Sequence, residues 1–460
     1  MKVFMLGWEF PPHITGGLGT ACYGLTKGLD AVGVEVVFVL PQSVPSSETS
    51  HVKLKTPADI PTASSATEPG GQHSYRVQEL PNVQFHQVDA VLQPYARPGA
   101  SAEQPNLLSD FDIKTLHEFF PKSAEAQVEA AQPHGPQDLP RGSFAAGPGA
   151  HYGGDLISQV HRYARLALEL ARTEQFDLIH AHDWMTYPAA LAVAAATRKP
   201  LVVHVHSTEF DRAGENVNQQ VYDIERMGMH AAAAVVCVSH LTENIAVSRY
   251  GVQREKCHVV YNAVEFPAEA DSDENYRPIT RNEKIVLFLG RLTMQKGPEY
   301  FLRAAKKVVE RYKNVRFVMA GSGDMIAQCV REVAALKLGR YVAFTGFLRG
   351  ADVARIFQLA DLYVMPSVSE PFGIAPLEAL SHNVPVIISR QSGVAEVLTH
   401  ALKVDFWDTD EMANKILAVL KHAPLQRALR QHGHIELRKL SWKDSAQKLK
   451  DIYAGVMGAR

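Results

Sequence analysis

Two glutamates share the stretch SEPFGIAPLEAL (Ser369 to Leu380), with seven residues between them. The preceding DLYVMPS (Asp361 to Ser367) reads as a buried strand. Gly373 and Pro376 suit a turn that opens straight into a helix, with proline at the first helical position, where its missing N–H costs nothing. That predicts Glu370 in the loop above the strand's carboxyl end and Glu378 about one turn inside the helix. A purely structural reading is at hand: an acid at the third helical position caps the helix and complements its dipole. A second group argues for more. In GRLTMQKGPEYF, Arg291 follows the strand KIVLFLG, and Lys296 and Gly297 precede Pro298, the predicted start of a helix. A lysine at a helix N-terminus opposes the dipole, so it lacks a local structural reason. An anion shared by Arg291, Lys296 and the helix N-termini supplies one. A nucleoside diphosphate has the size and charge, and the two cations would stabilise it as a leaving group without a metal.

Glycine turns sit at the ends of other strands. Gly16, Gly17 and Gly19 make a tight entry to a helix whose backbone N–H groups can approach a phosphate. The GxGxxG spacing of a dinucleotide fold is absent, which disfavours a dehydrogenase. VMAGSGDM, with Gly321 and Gly323, gives a second turn. FTGFL, with Phe347 and Leu348, ends a neighbouring strand, and the two are expected to wall a slot for a base. His180 and His182 share one face of FDLIHAHDW, and His204 and His206 one face of VVHVHS, because side chains repeat every second residue. Four imidazoles raise zinc, but they come without an acidic or thiolate complement, so no metal is expected. His182, last on its strand, is expected at the rim of a cleft. His180 reads as a hydrogen-bonded core histidine and Asp183 as the N-cap of the following helix.

The elements that must hold these residues alternate along the chain. KVFMLG, VEVVFVLP, FDLIHAH, PLVVHVHS, AAAVVCVS and CHVVYNA are strand candidates in the first half. KIVLFLG, VRFVMAG, YVAFTGFL, DLYVMPS, PVIIS and LKVDF are their counterparts in the second. Continuous apolar strands separated by helices predict parallel sheets covered on both faces, here two doubly wound, Rossmann-like α/β domains facing across a cleft. The first spans residues 1–265, an aperiodic acidic linker 266–284, the second 285–440. A C-terminal helix at 441–460 is expected to return to the first domain. Residues 42–154, rich in Pro, Gly, Ser and Ala, read as a loop-rich insertion punctuated by the strand VQFHQVD and a helix in DIKTLHEFF.

The 460 residues carry a formal net charge of −2, which hides an asymmetry. Residues 1–265 hold 19 Lys+Arg against 28 Asp+Glu, and the remainder 28 against 21. A basic second half is the expected seat of an anionic ligand. No basic tract with interleaved aromatics points to nucleic acid. No apolar run spans a bilayer or forms a signal peptide, so membrane association is not expected. Four scattered cysteines without a CxxC suit a reducing compartment, and the expectation is cytoplasmic.

GRLTMQKG, AGSGD, FTGFL and SEPFGIAPLEAL, in this order and spacing, resemble glycosyltransferase family 4, with the GT-B fold. The resemblance is strong over residues 284–440 and reaches the first half through GGLG and HAHDW. It implies a retaining transferase that moves a sugar from a nucleotide diphosphate donor to an acceptor. By that resemblance Arg291 and Lys296 hold the diphosphate, Glu378 the donor ribose and Glu370 the sugar hydroxyls. Backbone amides of Gly373, Ile374 and Ala375 also meet the donor, and His182 lines the reaction centre. The departing phosphate oxygen takes the acceptor's proton on the same face, and neither metal nor other cofactor is implied. HAHDW and HSTEFDR are similar to stretches of glycogen and starch synthases, which points to glucose and a soluble α-glucan or oligosaccharide acceptor. The lysine of their Lys-x-Gly-Gly signature is Ile14 here. Two other readings fit the same residues: a nucleotide-sugar epimerase of this fold, and a non-catalytic sugar-binding protein.

Overall fold

A computed structural model describes residues 1–11, 16–41, 83–87, 154–265 and 283–458. All twelve apolar runs are strands, and VQFHQ adds another. Lys2–Leu6 (β1), Glu35–Leu40 (β2), Val83–Gln87 (β3), Leu178–His182 (β4), Leu201–Val205 (β5), Ala234–Cys237 (β6) and Cys257–Val259 (β7) form a parallel sheet. Its order is β3-β2-β1-β4-β5-β6-β7. Lys284–Leu289 (β8), Val315–Ala320 (β9), Val342–Gly346 (β10), Leu362–Met365 (β11), Val386–Ser389 (β12) and Leu402–Val404 (β13) form a second. Its order is β10-β9-β8-β11-β12-β13. The predicted helix in DIKTLHEFF, residues 266–282 of the predicted linker and most of the insertion lie outside the described residues.

Every residue of β4, β5, β6 and β12 is buried, as helices on both faces of a parallel sheet require. In the first sheet, Phe4, Leu6, Ile179 and Val203 face one core; Val3, Met5, Leu178 and Val202 face the other. Both sheets start in their middle. The chain winds outward from β1 to β2 and β3, then crosses back to β4; it winds from β8 to β9 and β10, then crosses back to β11. Neighbouring connections therefore depart in opposite directions between β1 and β4 and between β8 and β11. A crevice opens at such a switch point, beyond the carboxyl ends of the strands.

The closing helix, Trp442–Gly458, returns to the first sheet and lies against the helix Gly17–Ala31. Two glycines one helical turn apart make the seat. A Cβ on Gly24 would stand 2.1 Å from Cε2 of Trp442, and one on Gly28 2.3 Å from its carbonyl oxygen. Lys450 donates to the carbonyl of Val32 at 2.6 Å, and Ser445 to that of Tyr261 at 2.7 Å. No helix among the described residues is long and apolar enough to cross a membrane.

Gly24→Val would overfill this seat, at a cost of about 1–3 kcal/mol. The variant is expected to melt lower than the parent and to exchange amide hydrogens faster within residues 442–458. Gly455→Ala, where added volume meets nothing, is expected to melt at or above the parent.

Candidate active site

The two switch points face one another across a cleft of about 360 Å³. The first half contributes Glu9 beyond β1, Gly16 and Gly17 at a helix start, Asp183 beyond β4, and His206 and Arg212 beyond β5. The second contributes Arg291 and Lys296 beyond β8, Gly321 beyond β9, Phe347 and Leu348 beyond β10, and Glu370 to Ala375 with Glu378 beyond β11. The residues predicted from GRLTMQKG and SEPFGIAPLEAL thus meet on one wall.

Lys296 and Glu370 are in direct contact, with Nζ 2.6 Å from Oε2. The Ser367 hydroxyl donates to the same oxygen at 2.9 Å. Lys296 ends a short 3-10 turn, Met294–Lys296, and Gly297 follows at φ +62. A Cβ there would stand 2.3 Å from the carbonyl oxygen of Pro366, so only glycine lets the lysine's loop approach the glutamate's. The helix begins at Pro298, as predicted.

The other helix begins earlier than predicted. It runs Ile374–Ser381, with Gly373 at its N-cap and φ +102. Pro376 is therefore third and Glu378 fifth, too far in to cap it. Glu378 therefore does not cap this helix. Proline misled because every position of a first turn lacks an intrahelical acceptor for its N–H. The amides of Ile374 and Ala375 are such orphan donors and line the cleft. The Glu378 carboxyl also lines it and has no hydrogen bond or ion pair among the described residues. Burial pushes that carboxyl up to about 7.

Three other expectations change. His182 is wholly buried and does not reach the cleft; His206 lines it instead, its Nε2 2.9 Å from Nδ1 of His182. The chain extends past the end of β5, so the histidine two residues on overhangs the one at the end of β4. Asp183 stands at the N-cap position of the short 3-10 turn Trp184–Thr186, but its side chain makes no cap bond. Its Oδ1 instead accepts the backbone N–H of His206 at 2.7 Å and of Ser207 at 3.3 Å. It does so from φ +59, ψ 167, a region almost reserved for glycine. Burial pushes its carboxyl up to about 7, against the pull of Arg212. Gly19 and Gly323 lie off the cleft wall. Gly19 is buried inside its helix, and Gly323 is held by close approach, since a Cβ would stand 2.3 Å from the carbonyl oxygen of Leu292. His180 sits in the core with Nδ1 2.6 Å from the Tyr453 hydroxyl, as a core histidine should.

Sequence reasoning missed Glu9, His206 and Arg212 as cleft residues. Arg212 donates to Glu209 at 3.0 Å, bonds Glu225 and contacts the Ser207 carbonyl at 3.3 Å, so it is braced rather than free. The signal was the acid-rich HSTEFDR directly after a strand, the place where open sheets bind ligands.

Three family models match the chain in series. They are described as Starch synthase catalytic domain over residues 2–122, Glycosyltransferase Family 4 over 114–266 and Glycosyl transferases group 1 over 271–435. The chain is 27% identical, over 99% of both chains, to uncharacterized glycosyltransferase MJ1607 of Methanocaldococcus jannaschii. It is 22% identical to a glycogen synthase of Mycobacterium tuberculosis, over 86% of this chain and 80% of that one. The fold matches Anabaena Alr3699/HepE in complex with UDP-glucose with a TM-score of 0.64 at 16% identity, covering 99% of this chain and 100% of that one.

Glu378 supplies a test of the site's electrostatics. Its folded value near 7 lies above its ordinary 4.5, so the folded state holds the proton more tightly. Stability from this group is present below about 4.5 and is lost as pH rises toward 7. Glu378→Gln carries no such loss. The variant is expected to melt above the parent at pH 8, with the difference shrinking toward pH 5 in thermal scans.

Proposed function

The chain is a GT-B glycosyltransferase of the family 4 kind, and on that footing we propose that it moves glucose from a nucleoside diphosphate to a glucan or oligosaccharide with retention at the anomeric carbon. The donor would lie in the basic half, residues 285–440, and the acceptor against residues 1–265. One observation carries the reading: an unpartnered, half-buried carboxyl at Glu378 shares a wall with Arg291, Lys296 and two orphan amides. A ligand that is anionic at one end and hydroxylated at the other satisfies all of them. The amides of Ile374 and Ala375 suit the diphosphate. Glu378 would accept from the ribose, and Glu370, tethered by Lys296 and Ser367, from the sugar.

Departure of the diphosphate breaks the bond from the anomeric carbon to phosphate oxygen. Arg291 and Lys296 would stabilise the charge that oxygen gains. The acceptor hydroxyl attacks on the same face and passes its proton to that oxygen, so no protein nucleophile and no metal is needed in the step. His206 faces the cleft, and His182 would act through it as a positioning residue. The UDP-glucose bound by Alr3699/HepE and the glycogen synthase relative support glucose and a glucan. The excess of acid in residues 1–265 disfavours docking on anionic headgroups, which supports a soluble acceptor.

Purified protein challenged with UDP-, ADP- and GDP-linked sugars, with and without short glucans, tests this by nucleotide release and product analysis. Acceptor-dependent release with an α-linked product is expected. A converted donor sugar with no acceptor requirement would establish the epimerase instead, and neither outcome would leave the glucose–glucan reading without support. Arg291→Ala and Lys296→Ala are each expected to lower kcat by about a hundredfold or more. Lys296→Ala should also lower the melting temperature, because it strands the buried Glu370 carboxylate without its cation. Glu378→Gln is expected to raise KM for the donor more than it lowers kcat, since ribose contacts change little during reaction.

A further inference from the structure

Beneath the cleft wall, four imidazoles lie side by side at the carboxyl ends of β4 and β5. His180, His182 and His204 are each at most 1% exposed. Each offers a ring nitrogen within 4.8 Å of those of the other two. A neutral imidazole carries one N–H and one lone pair.

The hydrogen bonds place those protons. Nδ1 of His180 meets the Tyr453 hydroxyl at 2.6 Å, and Nδ1 of His182 meets Nε2 of His206 at 2.9 Å. A proton on each Nδ1 satisfies both contacts and leaves both Nε2 atoms with lone pairs. Those two atoms, together with Nδ1 and Nε2 of His204, have no hydrogen-bond partner. An unsatisfied buried polar group costs about 1–3 kcal/mol, so three rings that each bring a nitrogen within 4.8 Å of the others and each hold an unpartnered one need a common cause.

We propose that His180, His182 and His204 form a binding site for one transition-metal ion of the zinc class, held between β4 and β5 beneath the cleft. The outward bonds to Tyr453 and His206 do what the second layer of a metal site does: they fix ring tautomer and orientation. A centre among nitrogens at most 4.8 Å apart lies no more than about 2.8 Å from each, so closing to the usual 2.0–2.1 Å asks each ring to move by about 0.7 Å. Three neutral imidazoles with an open fourth position suit zinc, cobalt or copper and offer no oxygen to calcium or magnesium. None of the three ligands lines the cleft, so the ion would brace the two strands under His206 and take no part in the transfer step.

The full chain, produced in zinc-supplemented cells and purified without chelators, tests this by elemental analysis. About one zinc per chain is expected to survive dialysis. Cobalt(II) introduced during refolding is expected to give the intense visible bands of a tetrahedral, nitrogen-ligated ion. His204→Leu keeps the volume and removes a ligand, and its zinc content should fall to background. If it does not fold, Tyr453→Phe leaves all three ligands in place and should weaken zinc binding by about 10–100-fold. Parent protein with no retained zinc and no cobalt spectrum would overturn the proposal, as would zinc content unchanged in His204→Leu. The readouts are metal content and spectra, so they stand apart from whether the chain transfers glucose.

Discussion

Most charged groups of the cleft are placed by one constraint, the reversal of strand order in each parallel sheet. Between β1 and β4, and again between β8 and β11, connections leave in opposite directions and no helix covers the gap. Residues just past those four strands therefore remain open to a ligand while the strands stay buried. Glu9, Asp183, Arg291 and Glu370 all follow one of the four. Two such gaps set mouth to mouth make one cleft with an acidic, imidazole-bearing wall and a cationic wall.

The Glu370 loop is where the two walls are joined. Ser369 donates to Oδ1 of Asp211 at 2.5 Å, and the carbonyl of Pro371 accepts from Ser239 at 2.5 Å, so both neighbours of Glu370 are bonded across the cleft. Glu370 itself is tied within its own half, its N–H to the carbonyl of Gln391 and its carbonyl to the N–H of Gly393. Gly393 must be glycine, for a Cβ would stand 2.2 Å from the carbonyl oxygen of Pro371 and 2.5 Å from Cβ of Ser239. Nearby, Glu396 receives the first amides of the helix His240–Tyr250, His240 at 3.0 Å and Leu241 at 2.8 Å, and the Tyr261 hydroxyl at 3.0 Å. A carboxylate from one half thus serves the positive end of a helix in the other.

Much of this was legible in sequence because burial on both faces leaves a continuous apolar run, the strongest mark a parallel strand can make. The cations beyond β8 were legible because Lys296 had no local reason to stand before a helix. Depth was not. Alternation says that His180 and His182 share a face, but how far a strand end lies below its neighbour depends on where the adjacent loop runs. That loop belongs to β5, and it carries His206 over His182. Asp183 looked like a cap because a helix follows it. Its backbone takes a conformation that no pattern of residue types announces, and its oxygen turns to the amides of His206 and Ser207. The seat of Trp442 on Gly24 and Gly28 was equally hidden, since its two sides lie some four hundred positions apart in the chain.

The two acids that first drew attention differ in a way the architecture explains. Glu370 sits in the loop that bridges the halves, where a lysine from the neighbouring strand end can reach it. A pair so enclosed contributes little net stability but fixes geometry, because removing either partner leaves the other charge stranded. Glu378 rides on a helix that belongs to one half alone, a turn above its start, and no cation from β8 or β9 reaches it. One carboxylate is therefore held in position by its own protein, while the other reaches the same cleft with its capacity to accept hydrogen bonds unspent. A ligand with hydrogen-bond donors can use it. The Glu370 loop also bonds the opposite half, so Lys296 and Glu370 on the cationic wall adjoin the contacts to Asp211 and Ser239. Three consecutive residues, Ser369 to Pro371, thus tie the cationic wall to both halves.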